Sequence, residues 1–167
     1  MQQVSLSPLR ESDAADLERV WLDHETVRFT NWKLLSTREE VAERVHRMLV
    51  RYSQKERMGP YVIRTQDGRF VGLIGVDYEG GEHEVWYLLD RSQWGHGFGT
   101  AALRYLLDRI GLRSEITKLV ATAETSNTAS WRLLERNGFS RVSSVAGGFE
   151  KEGFVGDLYR YEKILGV

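Results

Sequence analysis

Residues capable of chemistry gather at three places in this chain. Gln93-Trp94-Gly95-His96-Gly97-Phe98-Gly99-Thr100 carries glycines at alternate positions. Without Cβ atoms these residues let an anion approach the main chain, and successive N–H groups at a following helix start can hold a pyrophosphate. Asn127 and Ser130 are three apart and share one face if their segment is helical. Glu84 alternates with Trp86 and Leu88, which puts the three on one face of a strand. Among such neighbours desolvation raises the pKa of a carboxylate and suits it to general-base work. Each feature also has a plainer reading: a tight turn, a helix cap, and a solvated or ion-paired edge residue. His83 and His96 are alternative bases. Alternation turns His83 away from Glu84, and His96, inside the glycine run, points to solvent or to a phosphate.

Two familiar phosphate-binding motifs do not fit. A P-loop ends in Gly-Lys-Ser/Thr, whereas Gly99-Thr100-Ala101 has no lysine. A dinucleotide fingerprint occupies the first strand–helix turn of its unit, whereas three candidate strands precede this run, and Gly-x-Gly-x-x-Gly does not match its spacing.

The elements that must position these residues follow from periodicity and turn chemistry. Val4 and Leu6 mark a first strand over 2–9. Ser12 is a candidate N-cap for a helix whose Leu17, Val20, Trp21 and His24 share an apolar face, with His24 read as a core residue. Residues 25–36 are irregular and carry Phe29, Asn31 and Trp32. Thr37-Arg38-Glu39-Glu40 is a capping box opening a helix with the stripe Val41, Val45, Met48, Leu49 and Tyr52, and Gly59-Pro60 closes that region. Strands over 61–65, 70–78 and 82–89, joined at Asp67-Gly68 and Gly80-Gly81, form an antiparallel meander. The glycine run, a helix over 98–112 and a strand over 118–124 then make a parallel crossover. A helix over 127–136 stops at Asn137-Gly138, and strands over 139–145 and 154–165 close the chain around a loop at 146–155. The fold class is α/β: a mixed sheet of six to seven strands, meander first and crossover after, with about four helices in one domain over 1–167.

Composition narrows the partners. Among 167 residues, 23 basic against 24 acidic give a net charge of -1, which argues against a nucleic-acid footprint. The absence of cysteine excludes disulfides, thiolate nucleophiles and Cys-ligated zinc, and no metal is expected. No apolar run approaches ~18 residues and the N-terminus has no signal-like apolar core, so a cytoplasmic protein without a membrane partner is expected.

Taken together, the motifs carry a resemblance. Leu89-Asp90-Arg91-Ser92-Gln93-Trp94-Gly95-His96-Gly97-Phe98-Gly99 resembles motif A of the GNAT superfamily of acyl-CoA-dependent N-acetyltransferases, and residues 127–139 resemble its motif B. The Trp-Gly-x-Gly form, the Asn-x-x-Ser spacing followed by Gly138-Phe139, and Glu84-Val85-Trp86-Tyr87-Leu88-Leu89-Asp90 are closest to the ribosomal-protein N-terminal (Rim-type) branch. This resemblance implies acetyl-CoA as co-substrate, with its pyrophosphate on the backbone of Gly95, His96, Gly97, Phe98, Gly99 and Thr100. It implies main-chain bonds from Leu89 to the pantetheine arm or the acetyl carbonyl, and Asn127 and Ser130 facing the pantetheine and thiol. The reaction implied is acetyl transfer to a primary amine, on a protein N-terminus or a small molecule, by direct attack with Glu84 as base. Many members place a tyrosine seven residues after the asparagine as general acid; here that residue is Leu134. Either Ser130 takes the role or no side chain does, with Tyr159 in reserve.

Acceptor contacts are expected from Asn31 and Trp32, and from Glu150, Glu152 and Asp157 near the last hairpin. Two other functions compete: a noncatalytic acyl-CoA-binding or sensor module, which Leu134 favours and Glu84 with Ser130 oppose, and a nucleotide-phosphate binder. The final strand can pair within the chain or across a dimer, so monomer and homodimer both fit.

Overall fold

The computed structural model describes residues 2–166. Its elements run β1 (Val4–Pro8), α1 (Ala14–Trp21), α2 (His24–Val27), α3 (Arg38–Arg51), β2 (Met58–Thr65), β3 (Phe70–Glu79), β4 (Glu82–Leu89), α4 (Phe98–Ile110), β5 (Lys118–Glu124), α5 (Thr128–Arg136), β6 (Ser140–Lys151) and β7 (Phe154–Ile164). The strands make one seven-stranded sheet in the order β1-β2-β3-β4-β5-β7-β6. β1 to β4 pair antiparallel, β4 and β5 pair parallel, and β7 inserts antiparallel between β5 and β6. The meander and the crossover are therefore where turn chemistry placed them. Among the described residues, no helix is long and apolar enough to cross a membrane.

Strand alternation divides the apolar residues between two cores. On one face Leu103, Leu106 and Ile110 of α4 and Leu134 of α5 pack against Ile74, Val85 and Leu119. On the other, Leu17, Val20 and Trp21 of α1 and Val41 and Val45 of α3 pack against Val62, Leu73 and Leu88. β4 serves both: Tyr87 and Leu89 lie against the first core, Trp86 against the second.

The join between β4 and β5 organises the molecule. Their parallel ladder has a single register pair, Glu84 with Val120. By contrast, β3 and β4 pair from Gly72–Leu89 through to Glu79–Glu82. Beyond Glu84 the two strands diverge, and a cleft opens in the middle of the sheet.

Several local expectations are corrected. Ser12 does not cap α1; a 3-10 turn occupies Glu11–Asp13, and the α-helix begins at Ala14. His24 is not a core residue, because the chain breaks after Trp21 and restarts as α2, leaving the His24 ring half exposed beside Glu152 and Glu25. Among the described residues the α-helices thus number five, and residues 25–36 are only partly irregular. Gly59-Pro60 does not end the region before a strand; it is a cis peptide inside β2. The loop expected over 146–155 is mostly strand: β6 continues to Lys151, and the reversal is confined to Glu152 and Gly153, both in left-handed conformation. A register shift between Val145 and Phe149 absorbs Gly147 and Gly148 within the strand.

Candidate functional site

The cleft at the β4–β5 divergence has a volume of about 1070 Å³ and reaches from the glycine run to α2 and α3. Backbone polarity accounts for its donor-facing side. Asp90 N–H donates to Val71 O at 2.9 Å, so even-numbered residues of β4 direct their main-chain groups toward β3. The main-chain groups of Tyr87 and Leu89 turn the other way, toward the opened side. Trp94 Nε1 donates to Leu89 O at 2.9 Å, which leaves one carbonyl lone pair and the Leu89 N–H on that side.

The glycines of the run have different reasons to be glycine. Gly95 (φ 76) and Gly97 (φ 81) adopt the left-handed conformation, and Gly97 is the N-cap of α4. At Gly99 the constraint is packing: a Cβ there would lie 2.6 Å from Leu133 Cδ1 and 2.9 Å from Leu89 Cδ1. The first intrahelical bond of α4 runs from Ala101 N–H to Gly97 O at 3.1 Å. The N–H groups of Phe98, Gly99 and Thr100 precede it at a positive helix end, an arrangement that binds anions. Gly95, Gly97, Phe98, Gly99 and Thr100 line the cleft, whereas the exposed His96 side chain lies outside it, its ring 6.0 Å from that of Phe98.

Across the opening, Asn127 is the N-cap of α5 and accepts from Ser130 N–H at 3.4 Å. Both residues line the cleft. The Ser130 hydroxyl lies 2.8 Å from the Tyr87 hydroxyl, which also reaches Ser130 O at 3.2 Å. Leu134 is fully buried in the core behind them and does not reach the cleft. Tyr159 is also away from it, stacked under the Arg141 guanidinium at 4.3 Å.

Glu84 sits where the ladder parts, its carboxylate accepting from Thr122 Oγ1 at 3.2 Å. Burial pushes its pKa up from the ordinary carboxylate value, with the Thr122 hydrogen bond and Arg160 opposing and Asp77 and Glu79 adding to the rise. His83 packs on the Tyr78 ring at 4.8 Å; burial, followed by nearby Arg113, depresses its pKa.

Aromatic rings form the wall beyond Glu84. The Trp32 ring lies 5.8 Å from Trp21 and 5.5 Å from Trp86, and Trp86 Nε1 donates to the Tyr52 hydroxyl at 2.5 Å. Burial raises the pKa of Tyr52 far above that of an ordinary phenol. The Arg44 guanidinium stacks on Trp21 (5.1 Å) and Trp32 (5.4 Å) and donates to Lys33 O at 2.9 Å. Lys151 Nζ gathers three carbonyls of the same segment: Val27 at 2.6 Å, Thr30 at 3.0 Å and Trp32 at 2.7 Å. Asn31 and Trp32 line the cleft; Glu150 and Asp157 do not, and Glu152 is occupied by His24 at 3.0 Å.

Four cleft-shaping residues went unrecognised in the sequence. Tyr87 was detectable, because alternation puts it on the Leu89 face. Glu124, buried at the end of β5 and held by Thr125 and Ser126, also lines the cleft. Arg44 and Lys151 act through tertiary contacts that no local pattern announces.

A family model described as an acetyltransferase (GNAT) domain matches residues 3–140. The chain belongs to the GNAT family. A relative from Bacillus licheniformis, described as an uncharacterized N-acetyltransferase p20, is 28% identical over 170 residues, covering 99% of this chain and 87% of the relative. Among solved structures, RimL, a ribosomal L7/L12 alpha-N-protein acetyltransferase in complex with coenzyme A, superposes with a TM-score of 0.88 at 20% identity, covering 99% of this chain and 96% of that one. Spermidine N-acetyltransferase from Vibrio cholerae, in complex with coenzyme A and spermine, superposes with a TM-score of 0.83 at 16% identity, covering 98% and 96%. This GNAT chain is an acetyl-CoA-dependent acetyltransferase, and the Rim-type likeness read from its motifs extends to the fold.

Proposed function

We propose that this protein transfers the acetyl group of acetyl-CoA to a primary amine that enters past Trp32 and Trp86. The observation carrying this reading is that one cleft joins the unpaired N–H groups at the start of α4 to a carboxylate of raised pKa, Glu84. The α4 N-terminus would hold the pyrophosphate, and the Leu89 main chain, Asn127 and Ser130 would line the pantetheine and thioester. An amine must lose a proton to become acylated. Glu84 takes that proton as the C–N bond forms, directly or through one water. As the C–S bond breaks, its electron pair stays with sulfur, and the Ser130 hydroxyl donates a hydrogen bond to it. A thiolate is a tolerable leaving group near neutral pH, so a hydrogen bond suffices without a strong acid. The fold accommodates amines as different as a protein N-terminus and a polyamine, judged by what its solved relatives are named for.

Thiol release from acetyl-CoA over a panel of peptides, polyamines and aminoglycosides, with products read by mass spectrometry, tests the reading and identifies the acceptor. Glu84→Gln is expected to lower kcat by about 10²–10⁴-fold while leaving coenzyme A affinity within a factor of about two. Tight coenzyme A binding with no release to any amine would favour the noncatalytic module instead.

A further inference from the structure

Many members of the family have a tyrosine on the α5 segment to assist the departing sulfur, but Leu134 occupies that position and is fully buried. A tyrosine of β4 nevertheless reaches Ser130 on that helix. Tyr87 is half-buried and lines the cleft, and its hydroxyl forms the buried end, 2.8 Å from Ser130 Oγ. We propose that Tyr87 is the positioning residue that makes Ser130 a hydrogen-bond donor toward the thioester sulfur.

The proposal rests on the acetyl-transfer reading and follows from counting protons. A phenol has one proton and a serine hydroxyl has one. The Tyr87 proton has two acceptors within reach, Ser130 Oγ at 2.8 Å and Ser130 O at 3.2 Å, and the shorter contact is to Oγ. With Tyr87 donating there, the serine's own proton is free to point into the cleft. Without Tyr87, the Ser130 hydroxyl could instead turn back to the carbonyl of the N-cap Asn127, three residues earlier, a common habit of serine in helices. Burial raises the Tyr87 pKa far above the usual phenol value, so the phenol keeps its proton and has it to donate. No proton leaves Tyr87 during turnover. The sulfur keeps the electron pair of the broken C–S bond, Ser130 shares its proton with that sulfur, and solvent protonates the released thiolate.

Three variants test this with the acceptor found in the amine screen: Tyr87→Phe, Ser130→Ala and the double variant. Tyr87→Phe keeps the ring and its packing. Each single change is expected to lower kcat by about 10- to 150-fold, the fold-change equivalent to one hydrogen bond to a charged group, with little change in acceptor KM. The double variant is expected to fall no further than Ser130→Ala, because both act on one proton. Coenzyme A binding by calorimetry should stay within about twofold throughout, which also reports that each variant is folded. Unchanged kcat in Tyr87→Phe, or a double variant whose loss is the product of the single losses, would overturn the role of Tyr87 while leaving acetyl transfer intact. A wild-type protein inactive toward every amine would instead overturn the reading beneath it.

Discussion

Lys151→Met should detach the acceptor wall from the last hairpin. The Lys151 ammonium joins the carbonyls of Val27, Thr30 and Trp32, at 2.6, 3.0 and 2.7 Å. Hydrogen bonds to a charged group contribute about 1.5–3 kcal/mol each. Three would total about 5–9 kcal/mol, but the side chain is half-buried, so water replaces part of what is lost, and methionine keeps the apolar stem in contact. A local loss of about 2–4 kcal/mol remains, equivalent to about 30- to 1,000-fold in an opening equilibrium. Thr30 N–H donates to Val27 O, and Trp32 N–H to the Thr30 hydroxyl, so both amides report the opening. Their hydrogen-exchange rates by NMR should rise by that factor, and acceptor KM should rise while coenzyme A affinity holds. Lys151→Arg should restore only part of the effect, since a planar guanidinium cannot converge on three carbonyls as a tetrahedral ammonium does. Exchange at both amides within about threefold of wild type would refute the clamp.

Two further outcomes follow from the same geometry. Gly99→Ala should overpack Leu133 and Leu89, costing about 1–3 kcal/mol against a helix-propensity gain of about 1 kcal/mol; calorimetry should find a lower Tm and weaker coenzyme A binding, and a Tm at or above wild type would remove the packing explanation. His24 has its pKa raised chiefly by the Glu152 hydrogen bond and then by Glu25. Its contribution to stability is therefore fully present below the ordinary histidine pKa and is lost as pH rises through the higher folded value. An NMR titration of the His24 ring should shift to a lower midpoint in Glu152→Gln, and an unmoved midpoint would break that link.

Most of the glycine-run side of the candidate cleft was legible because it is built locally. Gly95 and Gly97 are glycine for their own backbone angles, Asn127 for its own helix start, and Glu84 by strand parity, all of which leave marks within a few residues. Parity would have given Tyr87 as well, had it been followed on both faces of β4. The acceptor half was read less well because tertiary contacts build it. Lys151 acts on carbonyls 119 to 124 positions away, and His24 looked apolar-facing only while α1 was taken to continue past Trp21. The length of β6 was not legible because its continuation past Val145 depends on pairing with β7, which accommodates Gly147 and Gly148 in a register shift.

The single rung between β4 and β5 also bears on how the molecule comes apart. Backbone bonding thins between β1 to β4 and β5 to β7, which are joined across the gap by the shared core of Ile74, Val85 and Leu119 under α4 and by polar side chains: Glu84 to Thr122, Glu82 to Lys118 and Arg160, and Tyr87 to Ser130. Such a seam is where the backbone of the sheet can open locally at least cost. A ligand lodged in it touches both blocks and acts as the missing rungs. At one hundred times its Kd it would add about 2.7 kcal/mol to the folded state, concentrated at the border. Bound coenzyme should therefore slow hydrogen exchange most at the β4 and β5 amides beside the cleft, where the sheet lacks its own rungs.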